Sequence, residues 1–357
     1  MDDRLHMLQE LSEVPGVPGY EGEVRKVIRK YVDGLAEVSQ DRLGSIICRK
    51  AGRGDRPRVM LAGHMDEIGF MVSSISKEGF LRFQTLGGWW EQVMLAQRVI
   101  VKTHKGDVPG VVGSKPPHIL SLEERKKMVE KKDMFIDVGA TSDEEAREVF
   151  GVRPGDPVIP FCPFQVMANP RVLLGKAWDD RLGVALFIEV LRELQGKDHP
   201  NTVYGVGTVQ EEVGLRGATT SAHEVDPDVA IALEVDIAGD MPGVKEHEAS
   251  AKLGKGPSVL LYDSSLIPNL KLRDLAIDTA KELGVPLQLT SMAGGGTDAG
   301  RMHINRRGVP SLVMAVPTRY IHSHAGIFHL DDYENLVKLL VGMIMRLDAG
   351  TAAALAE

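Results

Sequence analysis

The stretch DRLGVALFIEVLRELQ (180–195), followed after a short link by VYGVGTV (203–209), decides the fold class. In the first segment apolar residues spread over a broad face, which predicts a largely buried helix. The second is an apolar run of strand length, and a buried helix feeding a buried strand is the unit of a layered α/β structure. The alternation extends in both directions. Residues 22–37 (GEVRKVIRKYVDGLAE) carry Val24, Val27, Ile28, Tyr31, Val32 and Leu35 at helical spacing, one amphipathic face. Strand-like runs follow at 45–50 (SIICRK) and 58–72 (RVMLAGHMDEIGFMV). Downstream, a strand is expected near 229–235, a helix near 270–283, strands near 285–290 and 310–316, and a closing helix over 331–347. The pattern predicts an α/β fold with a mixed sheet covered on both sides.

The middle of the chain differs. Between about 70 and 162 short apolar runs such as RVIVKTHKGDVPGVVG are broken by Gly and Pro, the pattern of a small β-rich module with tight turns. One short helix is expected there, where Ser121 and Glu124 have capping-box spacing ahead of ERKKMVEKK. Residues 70–162 are therefore expected to be an insertion into an α/β domain formed by 1–69 and 163–357. The tail AGTAAALAE (349–357) is expected to fray.

Bulk properties narrow the function. The chain has 357 residues and a net charge of −8, which argues against sequence-independent nucleic-acid binding. Cys48 and Cys162 are its only cysteines and lie in no CxxC or Cys/His cluster, so a disulfide framework and a thiolate zinc site are not expected. The charged start MDDRLHMLQE has no secretory pattern and no window resembles a membrane span, so the expectation is a soluble cytoplasmic protein without a membrane partner.

Five polar groups sit at or near the ends of expected strands. His64 and Asp66 (LAGHMDEIGF, 61–70) could share a strand face, with the carboxylate fixing the imidazole tautomer, or form an incidental loop pair. Asp179 and Asp180 precede the long helix, where they either cap it or supply a carboxylate bridging two cations. Glu211 and Glu212 end the strand before QEEVGLRGA. Adjacent side chains diverge, so one can bind a cation while its neighbour reaches a water, unless both sit on an exposed turn. Glu234, Asp236 and Asp240 fall in or after an apolar strand, where a charge is costly without a partner; Glu234 and Asp236 share a face, so either could be a ligand. His322 and His324 follow the strand SLVMAVP. Carboxylates and imidazoles without thiolate suit Zn²⁺, Co²⁺ or Mn²⁺. Five ligands with one shared carboxylate match a hydrolytic site with two metals about 3.5–4 Å apart.

These residues, in this order, resemble the dinuclear metallo-aminopeptidases of the M42 family, the TET and glutamyl-aminopeptidase group. The likeness runs over essentially the whole chain and includes HMDEIGF, SKPPH (114–118), FIDVGATSDEEA (135–146), WDDR, QEEVGLRGA, AGGGTDAG (293–300) and RYIHS (319–323). It implies that His64 and Glu234, or Asp236 in its place, bind one metal, that Glu212 and His322 bind the other, and that Asp179 bridges both. Glu211 would be the general base and Asp66 would orient His64. The family usually has Leu-Asp-Val-Thr where this chain has Leu233-Glu234-Val235-Asp236, which aligns Glu234 with the ligand. It often has Pro where this chain has His324, a candidate substrate contact beside Gly295, Gly296, Thr297 and Asp298 on the S1 side. The resemblance further implies an α/β/α metallopeptidase domain with an inserted β-rich dimerisation domain at 70–162, dimers assembling into dodecamers, and two Zn or Co ions per subunit. The activity it implies is removal of N-terminal residues from peptides. A deacylase or carboxypeptidase on a related two-metal scaffold is the first rival. A glycoside hydrolase is the second, although that chemistry leaves His64 and His322 without a role.

Overall fold

In the computed structural model, residues 3–357 are described. The chain opens with helices α1 (Asp3–Glu13) and α2 (Gly22–Val32), then strands β1 (Glu37–Gln40), β2 (Ile46–Lys50) and β3 (Arg58–His64). A second group of strands follows: β4 (Gly69–Ile75), β5 (Leu81–Leu86), β6 (Arg98–Thr103), β7 (Gly106–Gly113), β8 (Phe135–Asp137) and β9 (Pro157–Pro160). The layered part resumes with β10 (Gln165–Val166), β11 (Val172–Gly175), α3 (Trp178–Glu193), β12 (Thr202–Thr208), α4 (Arg216–Val225) and β13 (Val229–Ile237). It continues with β14 (Ser258–Leu260), α5 (Leu270–Leu283), β15 (Gln288–Thr290), α6 (Ala299–Met302), β16 (Ser311–Arg319) and β17 (Gly326–His329). The helices α7 (Leu330–Ile344) and α8 (Ala349–Leu355) close the chain.

The main sheet runs β1-β2-β12-β3-β13-β16-β17-β11-β10, with β14 and β15 branching from β16. Its centre, β12, β3, β13 and β16, is parallel, and the flanking pairs are antiparallel. Alternate residues of β3 enter separate cores. Val59 and Leu61 pack with α1, α2, α3 and α7, whereas Met60 and Ala62 pack with α4 and α6. Both faces are thus dry, which gives three α/β/α layers and explains the near-continuous apolar runs of the central strands. Strands β4 to β9 close a separate six-stranded barrel with its own core, including Phe70, Leu81, Val99 and Ile136.

Several expected boundaries move for local reasons. The helix expected over 22–37 ends at Val32, because Asp33 turns extended and Gly34 takes φ +70°, releasing Leu35 toward β1. The run at 58–72 is two strands in two sheets. At Gly69, where β4 starts, a Cβ would stand 2.3 Å from Val17 Cγ1, so the crossing is tight enough to require glycine. The helix expected after Ser121 is only the turn Glu124–Lys126. Its reciprocal cap forms, with Ser121 N–H donating to Glu124 Oε2 (2.7 Å) and Glu124 N–H to Ser121 Oγ (3.2 Å), but Leu122 and Met128 find nothing to bury against. The tail does not fray. Asp348 caps α8, Ala352 and Leu355 are buried, and Asn269 Nδ2 donates to the Leu355 carbonyl. Among the described residues no helix is long and apolar enough to cross a membrane.

Candidate active site

The parallel strands present their C-terminal ends to one edge, the position at which open α/β sheets hold their sites. His64 ends β3, Glu211 and Glu212 follow β12, Glu234 lies in β13, and His322 follows β16. Asp179 and Asp180 enter from the start of α3, where their backbone is not helical. Close backbone packing brings that start to β3. A Cβ on Gly63 would stand 2.4 Å from the carbonyl carbon of Gly183, so helix and strand touch main chain to main chain. Both oxygens of Asp180 are used in this seam, accepting from His64 N–H (3.0 Å) and Gly183 N–H (3.0 Å). Asp180 is therefore a positioning carboxylate that cap arguments alone did not single out.

The two imidazoles are fixed in the same way. His64 Nδ1 lies 2.8 Å from the Asp66 carbonyl, and His322 Nδ1 lies 2.6 Å from the Gly88 carbonyl. A carbonyl only accepts, so each Nδ1 carries a proton and Nε2 is the ring atom turned to the carboxylates. Both Nε2 atoms face Asp179 from different sides: His64 Nε2 is 3.1 Å from Oδ1 and His322 Nε2 is 3.5 Å from Oδ2. Glu211 Oε2 stands 3.8 Å from His64 Nε2, and Glu212 Oε1 stands 3.8 Å from His322 Nε2.

So many carboxylates gathered in one buried place call for positive charge among them, from a protonated imidazole or a bound cation. Burial raises the carboxyls of Glu211, Glu212 and Glu234 well above the usual carboxylate range, and their negative neighbours add to it. Burial works against a charged His64, yet the Glu211, Asp179, Asp66 and Asp180 carboxylates hold the ring well above its ordinary value. Glu212 Oε1 is buried with no hydrogen-bond partner. Two sets of potential ligand atoms, His64–Asp180–Glu234 and His64–Asp179–Glu212, each lie within 4.8 Å of one another. The donor set is oxygen and imidazole nitrogen, so these residues fit divalent cations such as zinc or cobalt.

Some sequence expectations change in detail. Asp66 orients the His64 ring through its carbonyl at 2.8 Å, while its carboxylate, 3.7 Å from Nδ1, is turned to other partners. The carboxylate oxygens accept from the N–H groups of Glu211 and Glu212, both at 3.0 Å, and so anchor the turn that carries the two glutamates. The reason is that β3 ends at His64, so strand alternation stops before residue 66. Glu21, unmarked in the sequence reading, supports the same turn by accepting from Gln210 N–H at 3.0 Å. Glu234 joins the His64 group, whereas Asp236 accepts from the Thr290 hydroxyl at 2.7 Å. Asp240 pairs with Arg319.

A cavity of about 630 Å³ opens over the cluster, and Gly295, Gly296 and Thr297 line it. The Thr297 hydroxyl is pinned to Asp263 at 2.9 Å. Asp298 does not reach the cavity; it is buried beneath, accepting from the Thr208 hydroxyl, and burial raises its carboxyl to about 6. His324 also stands outside it, packed on Trp89 with ring centroids 5.1 Å apart, and burial pushes its pKa down to about 4. Neither side chain lines this cavity; His324 lines the adjoining one, which shares Gly88, Ile321 and His322 with it.

A buried ion network lies behind the site. Glu67 accepts from Lys176 Nζ at 2.6 and 2.7 Å, with Arg181 Nη2 at 3.5 Å. Arg181 is fully buried and donates to the carbonyls of Leu11, Val14, Gly16 and Met65, tying the N-terminal segment to the start of α3.

The family described as M42 glutamyl aminopeptidase matches residues 44–339. The putative aminopeptidase FrvX of Escherichia coli is 42% identical, over 97% of this chain and 96% of its own. A TET aminopeptidase from a marine sediment Thaumarchaeota archaeon is 56% identical with a TM-score of 0.97, covering 99% of each chain. The Pyrococcus horikoshii TET1 peptidase, which can assemble into a tetrahedron or a large octahedral shell, is 34% identical with a TM-score of 0.87, over 97% of this chain and 100% of its own. With a family match over most of its length laid on this strand-edge cluster, the chain is a member of the M42 glutamyl aminopeptidase family.

Proposed function

We propose that the chain is a metal-dependent aminopeptidase that removes N-terminal residues from peptides. One observation carries the reading: Asp179 stands between two imidazoles whose Nδ1 protons are already committed, with a glutamate beside each Nε2. His64, Asp179 and Glu234 would hold one divalent ion, and Asp179, Glu212 and His322 the other. Bound there, the ions would supply Lewis-acid chemistry, lowering the proton affinity of a bound water and polarising the scissile carbonyl. Glu211 is the residue left over for proton transfer. It takes the water's proton and returns it to the leaving amine, while its main chain stays fixed on Asp66. The walls of the cavity align the substrate, and its free α-amino group is read by the carboxylate-rich floor, which makes the cleavage exo.

Residues 1–69 and 163–357 form the catalytic part of this proposal, and 70–162 the dimerisation insert. We take the physiological form to be a homo-oligomer, a dimer that builds a dodecamer, supported by the shells of the P. horikoshii relative. Metal-reconstituted protein should hydrolyse aminoacyl-p-nitroanilides with a free α-amine and leave their N-acetylated counterparts intact. Release of p-nitroaniline from the blocked series alone would overturn the aminopeptidase reading.

A further inference from the structure

Resting on the aminopeptidase reading, we infer that the enzyme prefers a large, uncharged N-terminal side chain, such as leucine or methionine, over glutamate or lysine. The apolar residues Leu215, Val235, Ile237, Met292 and Ile321 line the cavity beside the ligand cluster. The hydroxyl residues Ser264 and Ser265 and the glycine run 294–296 line it as well. The charged or titratable side chains lining it are His64, Asp179, Glu211, Glu212, Glu234 and His322, all of them assigned to the centre itself. Among the described residues no lysine or arginine lines it.

Charges on adjoining elements are engaged elsewhere. Arg319 is bound to Asp240 at 3.0 and 2.6 Å, and Arg216 donates to Gln210 Oε1 at 2.9 Å. Asp236 holds Thr290, and Asp263 accepts from Ser265, Leu266 and Thr297. A glutamyl carboxylate or a lysyl ammonium would enter with no counter-charge of its own, and an unpaired charge is costly to desolvate. An apolar side chain gains by the same burial.

The glycine run leaves this side of the cavity open. A Cβ on Gly294 would meet nothing within 4 Å, and Gly295 has φ +109°, with its carbonyl held by Ser264 N–H at 3.0 Å. Met292 lies beside this loop, 3.4 Å from where a Gly295 Cβ would be, and a flexible thioether accommodates apolar groups of varied shape.

The test compares leucine, glutamate and lysine hydroxamates binding to the metal-loaded wild-type enzyme by calorimetry. The metal-seeking group is common to all three, so their differences report the side-chain pocket. Leucine hydroxamate should bind about 100-fold more tightly than the other two, the order of discrimination a desolvated site gives against an unpaired polar group. Equal binding, or a lead for glutamate or lysine, would overturn the inference. Met292→Lys should raise the glutamate-to-leucine affinity ratio by about tenfold, as a new counter-charge in the wall would. No change in that ratio would mean that this wall does not contact the side chain, and would also overturn it. The corresponding p-nitroanilides separate the two readings. If none is hydrolysed while leucine hydroxamate still binds best, the aminopeptidase proposal fails and the pocket assignment stands.

Discussion

Glu211→Gln should lower kcat on a cleavable aminoacyl-p-nitroanilide by about 10²- to 10⁴-fold, the range for loss of a general acid–base, with KM little changed. The substitution keeps the size of the side chain and the main-chain bond to Asp66, so the turn stays in place. It removes a carboxylate that burial, with Asp298, Glu212 and Asp66 adding and His64 opposing, holds at raised proton affinity. In the proposed scheme Glu211 ligates neither ion, so metal content measured by atomic absorption should match the wild type. Activity within tenfold of the wild type, at equal metal content, would show that another group moves the proton. Loss of metal together with activity would make Glu211 a ligand.

The second large effect is on stability. Glu67→Ala removes the carboxylate that is bonded to Lys176 and nearest in effect to Arg181, and leaves those two cations side by side in the interior with only the more distant Asp66, Glu21 and Asp180 to offset them. Breaking a buried pair by deleting one partner typically costs about 3–5 kcal/mol, because the remaining charge has no solvent to turn to. Burial already lowers the Lys176 pKa and Glu67 opposes it, so the variant's lysine can shed its proton and soften the loss. Arg181 has no such escape. Its guanidinium joins Leu11, Val14 and Gly16 to the helix that begins at Asp179, so the damage should reach the site's support. Urea unfolding at fixed subunit concentration measures the effect. A loss below about 1 kcal/mol would mean the network contributes no more than a surface pair.

The layered fold was legible because α3 and the four central strands are apolar enough to be dry on every side, and such runs have few alternatives. The barrel insert was legible from its Gly and Pro punctuation. What local pattern could not reveal was decided by contacts distant in sequence. Residues 65–68 look like more strand, yet the chain leaves the sheet at His64 and enters the barrel at Gly69. Asp66 therefore turned its carboxylate to the main chain of residues 211 and 212, 145 and 146 positions away. The capping box at Ser121 formed without a helix because a cap orients a first turn, and only burial extends it. His322 and Asp179 became neighbours through the topology of β16 and α3, which no spacing encodes. Asp180, Glu21 and the Glu67–Lys176–Arg181 network carried one faint signal, charges set inside apolar text, and such charges need partners.

Metal titration into chelator-stripped protein, followed by hydrolysis of leucine p-nitroanilide, tests the central claim most directly. The account predicts no activity without metal and a return that saturates at two equivalents of zinc or cobalt per chain. Full hydrolysis by the stripped protein, or saturation at a single equivalent, would contradict a two-metal centre bridged by Asp179.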